Sequence, residues 1–239
     1  MREIFSRIED GKIVKIEVVF GAKEYQELNP WLFSVFIKYN SFNDSDDGID
    51  EFFETKEALI IALEHQDQAH FVGNRLVDDW SELYFYAPDS KGLDITTMKI
   101  LKSSGYVYES SVVKDAKWEF FDFNIFPTEL EICIMQSNKI VELLEEEGDN
   151  LSIAREVEHY ASFDTPTQKD RFVRKALDAG FVFKDDISSE EFDHGVALTK
   201  EHSLAEEELL GVIAEIFALI EEERGEYELW STTLAQELE

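Results

Sequence analysis

The sequence has very little cysteine and no long apolar run. Cys133 is the single cysteine in 239 residues, which excludes a disulfide within the chain and any multi-cysteine zinc site. This agrees with a reducing compartment. No run approaches the ~18 apolar residues that span a bilayer, and residues 1–4 open without a basic-then-apolar signal segment. We therefore expect a cytoplasmic protein with no membrane contact.

Basic residues are also scarce. The chain has 22 lysines and arginines against 53 aspartates and glutamates, which gives a net charge of −31. Nucleic-acid binding requires clustered basic residues that replace the counterions on phosphates, so direct binding of RNA or DNA is not expected. Both halves of the chain are acidic. Such a charge favours solubility and rapid encounter with basic partners.

Motifs for catalysis and metal binding are missing. The chain has no glycine-rich phosphate loop and no Gly-x-Ser-x-Gly motif. Cys133 stands between two isoleucines on a predicted helix, which favours packing over reactivity. His65 and His70 are five residues apart, and a predicted strand separates His194 from His202, so neither pair has zinc-site spacing. The sequence therefore predicts a protein without enzymatic activity, cofactor or metal.

One stretch keeps an alternative open. Residues 43–54 have the length of a calcium-binding loop, with Gly48 at the sixth position and Glu54 at the twelfth. However, Asn43 stands where aspartate is usual, Ser45 is third, and the preceding element is a predicted strand. A solvated strand-to-helix loop is the better interpretation. Calcium binding or an enzymatic role for this loop remains an alternative hypothesis.

The C-terminal part has a regular order of predicted elements. Alternation over residues 155–163 predicts a strand, and apolar positions at helical spacing predict a helix that ends at Gly180 before a second strand. A further strand, helix and strand follow over residues 196–200, 204–224 and 227–232. This β-α-β-β-α-β order is the split ferredoxin-like arrangement, in which both helices cover one face of a four-stranded sheet.

The N-terminal part repeats this order over residues 31–113, after a hairpin predicted at Asp10-Gly11. A helix over residues 128–147 follows, with Thr128 and Glu131 as a capping box. We therefore predict an α+β protein with two ferredoxin-like domains, each an antiparallel sheet with helices on one face. The first domain spans residues 1–147, with the last helix as a linker, and the second spans residues 148–239.

The candidate site is the second face of the C-terminal sheet. Side chains alternate along a strand, so if Val157 and Phe163 face the helices, the intervening residues face away. The first and last strands are neighbours in a ferredoxin-like sheet, and the same alternation turns Trp230 outward on the last strand. The predicted partner-binding residues are Glu156, Glu158, Tyr160, Glu226, Glu228 and Trp230. Such a face suits a basic, arginine-rich protein segment, through charge-assisted hydrogen bonds and stacking of arginine on Trp230.

Four stretches of the C-terminal part form a further pattern: Leu143-Leu144-Glu145, Glu158-His159, Ala179-Gly180-Phe181-Val182-Phe183 and Glu226-Tyr227-Glu228-Leu229-Trp230. In these stretches the chain resembles a known family, the bacterial regulators of ribonuclease E activity called RraB. Where that family ends in Glu-Tyr-Asp-Gly-Trp, this chain has Glu228 for Asp and Leu229 for Gly. The resemblance implies a small acidic protein that binds an RNA-degrading enzyme at its basic, non-catalytic region and restrains it.

The N-terminal half contains Asn29-Pro30-Trp31, Asp79-Trp80 and Tyr84-Phe85-Tyr86. In these residues it resembles a second bacterial family, the domain of unknown function six-nine-five. That family implies no activity. The leading hypothesis is therefore a non-catalytic, acidic regulatory protein that binds a basic segment of a protein partner and, by the resemblance, inhibits an RNA-degrading enzyme. A structural or self-assembly module, in which the aromatic surfaces bury one another, is the alternative.

Overall fold

The computed structural model describes residues 1–38, 46–102, 104–188 and 194–236. The chain divides into two compact units, Met1–Pro127 and Thr128–Glu239. Each unit contains one antiparallel sheet and several helices, which confirms the predicted α+β class. None of the helices in the described ranges is long and apolar enough to cross a membrane.

The first unit is built on a six-stranded sheet. Its strands are Arg2–Glu9 (β1), Lys12–Val19 (β2), Trp31–Lys38 (β3), His70–Val77 (β4), Trp80–Ala87 (β5) and Tyr108–Lys114 (β6), and its α-helices are Asp46–Glu64 (α1) and Leu93–Leu101 (α2). Shorter helical turns span Ala22–Leu28, His65–Asp67 and Phe121–Ile125. The strand order is β1-β2-β4-β5-β3-β6. The predicted hairpin at Asp10-Gly11 is confirmed, and both turn residues have positive φ, as this turn requires.

Both faces of the central strands of this first sheet are covered by its own unit. On one face, α1 and α2 bury a core that includes Phe33, Leu63 and Phe85. On the other face, the fully buried Trp118 stacks on Tyr86 with ring centroids 3.9 Å apart. The indole nitrogen of Trp118 also donates a hydrogen bond of 2.8 Å to a backbone carbonyl. The central strands are therefore covered, whereas Ile4, Ile8 and Ile13 of β1 and β2 remain 70%, 76% and 69% exposed.

The calcium-loop alternative falls partly outside the described residues, which omit Asn43 and Ser45. Helix α1 begins at Asp46, so the described part of the stretch, through Glu54, is helical. A calcium loop instead turns sharply at its central glycine and wraps its ligands around the ion. A helical backbone points successive side chains around a cylinder and cannot enclose an ion in this way.

The second unit contains a four-stranded sheet. Its strands are Arg155–Phe163 (β7), Val182–Ile187 (β8), His194–His202 (β9) and Glu226–Thr232 (β10), and its helices are Glu129–Glu146 (α3), Pro166–Asp178 (α4) and Glu206–Glu222 (α5). The strand order is β10-β7-β9-β8, so the first and last strands of this sheet are neighbours, as predicted. The strands β3 to β6 of the first unit have the same connectivity and the same neighbours.

Helices α4 and α5 pack on one face of this second sheet. Phe172 from α4 and Ile216 from α5 bury against Phe163 and Leu198 of the strands. Local signals explain where α4 begins, because Thr165 accepts a hydrogen bond from the backbone of Gln168 and proline occupies the first turn. The opposite face of the sheet is therefore the face on which the predicted site residues must be sought.

Helix α3 belongs to the second unit. Its predicted capping box between Thr128 and Glu131 is present. Its apolar side chains, including Ile134 and Val141, pack against Leu209 and Ile213 of α5. The division between the units therefore falls before this helix, whereas the sequence analysis placed it after the helix, at residues 147 and 148. The reason is that the helix buries its apolar face against residues that follow it in the chain.

Candidate functional site: an acidic sheet face

The candidate site is the face of the second sheet that points away from α4 and α5. On β7, Glu156 is exposed and Glu158 and Tyr160 are half-buried, and they alternate with buried residues. Across β10, Glu226 lies opposite Ser162. Glu228 accepts a hydrogen bond of 2.6 Å from the Ser162 hydroxyl. These contacts place the four predicted glutamates on one face of two neighbouring strands.

Tyr160 lies on the same face. Its hydroxyl is 2.8 Å from the hydroxyl of Ser231 on β10, and Ser231 lies opposite Glu158 in the ladder. The ring is therefore held between the acidic side chains of both strands. It gives the face one aromatic surface against which a guanidinium group can stack.

The face remains strongly negative after its internal pairing. Lys184 on β8 donates a hydrogen bond of 2.6 Å to Glu158 and lies 3.6 Å from Glu156. This hydrogen bond raises the pKa of Lys184, so the lysine stays charged. Glu201 on β9 adds a further carboxylate opposite Glu156. Lys184 is the one basic side chain that the four described strands place on this face, so the arrangement attracts cations and repels phosphates.

Trp230 is not on this face, and its predicted outward orientation is wrong. The register of β10 shifts between Tyr227 and Trp230, and Leu229 within this bulge has a φ of 74°. An extra residue in one strand reverses the alternation beyond it. Trp230 is therefore only 3% exposed and packs against Val157 and Ile213.

A hydrogen bond fixes the buried Trp230 side chain. Its indole nitrogen donates to the hydroxyl of Ser137 on α3 over 3.0 Å. Both groups are buried, so each provides the partner that the other requires away from water. Trp230 thus joins the last strand to α3 and contributes to the core rather than to recognition.

The helix-covered face of the same sheet holds a buried polar network that the sequence analysis did not predict. The Nδ1 atom of His159 lies 2.7 Å from the Tyr227 hydroxyl, and its Nε2 atom lies 3.3 Å from Nε2 of His202. The Nδ1 atom of His202 lies 2.7 Å from the carbonyl oxygen of Ser203. His159 follows Val157 by two residues on β7, so both side chains point to the helix-covered face. This alternation was the signal in the sequence for a buried histidine.

Burial keeps both histidines neutral. Desolvation lowers the pKa of His159 to about 3, and the positive charge of Lys200 acts in the same direction. Desolvation also lowers the pKa of His202, and burial raises the pKa of Tyr227. The network then assigns one set of donors: the Tyr227 hydroxyl donates to His159, His159 donates to His202, and His202 donates to Ser203. The arrangement is a structural network, because each donor has an acceptor and neither ring faces the acidic face.

The fold and the site define a two-unit α+β protein whose second unit presents an acidic sheet face. The chain belongs to the Family of unknown function (DUF695), whose model matches residues 4–124, just over half of the chain. Residues 134–232 match the model of the Regulator of ribonuclease activity B. Both resemblances noted in the sequence are thereby confirmed, and the second match includes both strands of the acidic face.

The remaining comparisons add a distant structure. No curated protein matches the chain. Among solved structures, the crystal structure of an unknown protein from Galdieria sulphuraria is similar over 84% of this chain and 96% of its own. Its sequence identity is 8% and its TM-score is 0.21.

Proposed function

We propose that this protein is a non-catalytic regulator that binds a basic segment of a ribonuclease on its acidic sheet face. The observation that carries the proposal is the clustering of Glu156, Glu158, Glu226 and Glu228 on two neighbouring strands, with Lys184 as the one base on this face of the four strands. These strands lie inside the segment that matches the Regulator of ribonuclease activity B. That match supports a ribonuclease as the partner.

The geometry of the strands supports an extended partner segment. Residues on one face of a strand repeat every ~6.6 Å, because each residue advances ~3.3 Å. An extended peptide has the same repeat, so alternate arginines or lysines would meet successive glutamates of β7. Arginine would also stack on Tyr160, since the ring is half-buried on the face with its hydroxyl held by Ser231.

The mode of regulation follows from charge. A basic, non-catalytic region of a ribonuclease attracts RNA by replacing the counterions on its phosphates. Covering that region with carboxylates removes the attraction and adds repulsion, so the enzyme would recruit less RNA. The regulator needs no catalytic group for this effect.

We also propose that both units are variants of the ferredoxin-like fold and that the protein acts in the cytoplasm. The shared connectivity of β3 to β6 and β7 to β10, with the first and last strands paired in each set, supports the fold. The single cysteine supports a reducing compartment.

Neutralising the acidic face is expected to weaken binding of the basic, non-catalytic segment of the host's ribonuclease. Three exposed glutamates are replaced in one variant: Glu156→Gln, Glu226→Gln and Glu228→Gln. We expect about tenfold weaker binding, because each exposed ion pair contributes up to ~1 kcal/mol. The measurement is fluorescence anisotropy of the labelled segment, and we expect the binding of the unmodified protein to weaken as salt is added.

The matched control removes the same charge from the helices of the same unit, through Glu146→Gln, Glu207→Gln and Glu221→Gln. These three residues are exposed and lie off the acidic face. The control is expected to bind within about twofold of the unmodified protein, since only screened, long-range attraction is lost. Equal weakening in both variants, or no binding even at low salt, would contradict the proposal.

A further inference from the structure

An open groove lies between α3 and α5, on the side of the sheet that carries the helices. It has a volume of about 320 Å³. Its apolar lining consists of Val141, Leu151, Leu204, Leu209 and Leu210. Its polar lining consists of Asn138, Glu142, Glu145 and Glu206.

The sequence explains how this lining forms. Val141 and Glu142 lie three and four residues after Asn138, and Glu145 lies four and three residues after them, so the four side chains make one stripe along α3. The groove floor is fixed from the other side, where the backbone N–H of Leu204 donates to the carbonyl of Leu151 over 2.8 Å. The groove is therefore formed by residues of the second unit alone.

The chemistry of the groove selects among classes of ligand. Three carboxylates surround an apolar floor, and the lining has no basic residue. Phosphates and acidic peptides are repelled by such a rim. The volume lies at the lower end of the ~300–1,000 Å³ found for small-molecule sites, which is enough for one or two apolar side chains. The ligand that matches this lining is a protein segment that carries apolar side chains between positively charged ones.

We propose that this groove binds the apolar face of a basic, amphipathic helix from a protein partner. Helices that dock in grooves present apolar anchors at spacings of three and four residues, and their remaining faces stay polar. Lysines or arginines beside the anchors then reach Glu142, Glu145 and Glu206 on the rim. This surface shares no residue with the acidic sheet face, so the inference goes beyond the proposed function and does not depend on it.

The test uses a fluorescein-labelled helical peptide of about 14 residues, roughly four turns, with leucines on one face and lysines and arginines on the other. The rim variant carries Glu142→Gln, Glu145→Gln and Glu206→Gln in the full chain. We expect about tenfold weaker binding of the peptide by anisotropy, because three charge contacts are lost. A floor variant, Leu210→Ala, keeps every charge and is also expected to bind more weakly.

The matched control carries Glu27→Gln, Glu54→Gln and Glu109→Gln, which removes the same charge from exposed positions of the first unit. It is expected to bind the peptide within about twofold of the unmodified protein, because only screened attraction changes. A peptide with serine in place of leucine is expected to lose more than about tenfold in affinity, since serine buries almost no apolar surface in the groove.

Three results would overturn the inference. The rim variant could bind as tightly as the unmodified protein, the control variant could weaken as much as the rim variant, or the serine peptide could bind as well as the leucine peptide. The last two results would show attraction by charge alone. A melting temperature within a few degrees of the unmodified protein confirms that each variant is folded, which is expected because the substituted glutamates are exposed.

Discussion

Replacing Trp230 with alanine is expected to lower the free energy of unfolding of the second unit by about 3–5 kcal/mol. The side chain is 3% exposed and packs among Val157, Leu209 and Ile213. Its removal leaves a cavity between β10, α3 and α5, and it also leaves the Ser137 hydroxyl without its partner. Urea unfolding followed by hydrogen exchange of peptides from β7 and α5 measures the loss in this unit alone.

Tyr160→Ala is the informative comparison, because the sequence analysis placed both rings on the same face. Tyr160 is half-buried on the acidic face, so its truncation is expected to destabilise the unit by less than half as much as Trp230→Ala. Similar losses for the two variants, or a loss near zero for Trp230→Ala, would mean that Trp230 does not pack in the core.

Acidification from about pH 8 to about pH 5 is expected to lower the free energy of unfolding of the second unit by ~2 kcal/mol through His159 alone. The pKa of His159 is about 3 in the folded protein and ordinarily 6.5. The unfolded chain therefore takes up a proton below pH ~6.5 while the folded chain does not, so stability falls as the pH falls towards 3. The lowered pKa of His202 acts in the same direction.

The groups around these rings explain the sign. Lys200 and Arg155 oppose protonation by their charge, and Glu208 near His202 offsets this only partly. A proton on His159 would also break the chain of hydrogen bonds, since its Nδ1 atom could no longer accept from Tyr227. The measurement is urea unfolding at both pH values, with hydrogen exchange of peptides from β7 and β9.

Two substitutions serve as controls for the pH effect. His159→Gln cannot titrate, so its stability is expected to vary less between the two pH values than that of the unmodified protein. His65→Gln changes an exposed histidine of the first unit and is expected to leave the pH dependence of the second unit unchanged. Equal stability at both pH values, or a gain on acidification, would contradict a neutral buried network.

Features that depend on short stretches of sequence are the ones that could be predicted. The turn at Asp10-Gly11, the capping box of Thr128 and Glu131, and the α+β class all follow from residues close together in the chain. The placement of α3 could not be predicted in this way. Its apolar stripe shows that it is buried, but the stripe does not show that the partner is α5, more than 60 positions later.

The orientation of side chains on the second sheet was predicted except where the ladder is irregular. Alternation placed Glu156, Glu158 and Tyr160 correctly, because β7 pairs without interruption with β9. It failed at Trp230, because alternation assumes that no residue is inserted. The one available signal was Leu229, where the resembling family has glycine. Its φ of 74° lies in the region that glycine adopts most readily.

The buried histidines were missed for a different reason. His159 and His202 lie on different strands, and the sequence analysis compared histidines only at metal-site spacings. Strand pairing brings them together, because β7 and β9 are neighbours in the sheet. Among the described residues, no group of three or more histidines, cysteines or carboxylates is placed to hold a metal ion.

The central claim is that a basic protein segment lies along the acidic face of β7 and β10. Carboxyl footprinting tests it most directly, because a carbodiimide labels exposed glutamates and mass spectrometry reads each position. With the basic, non-catalytic segment of the host's ribonuclease bound, we expect reduced labelling at Glu156, Glu226 and Glu228 and unchanged labelling at Glu146 and Glu221. Unchanged labelling of the first three residues in the complex would contradict the claim.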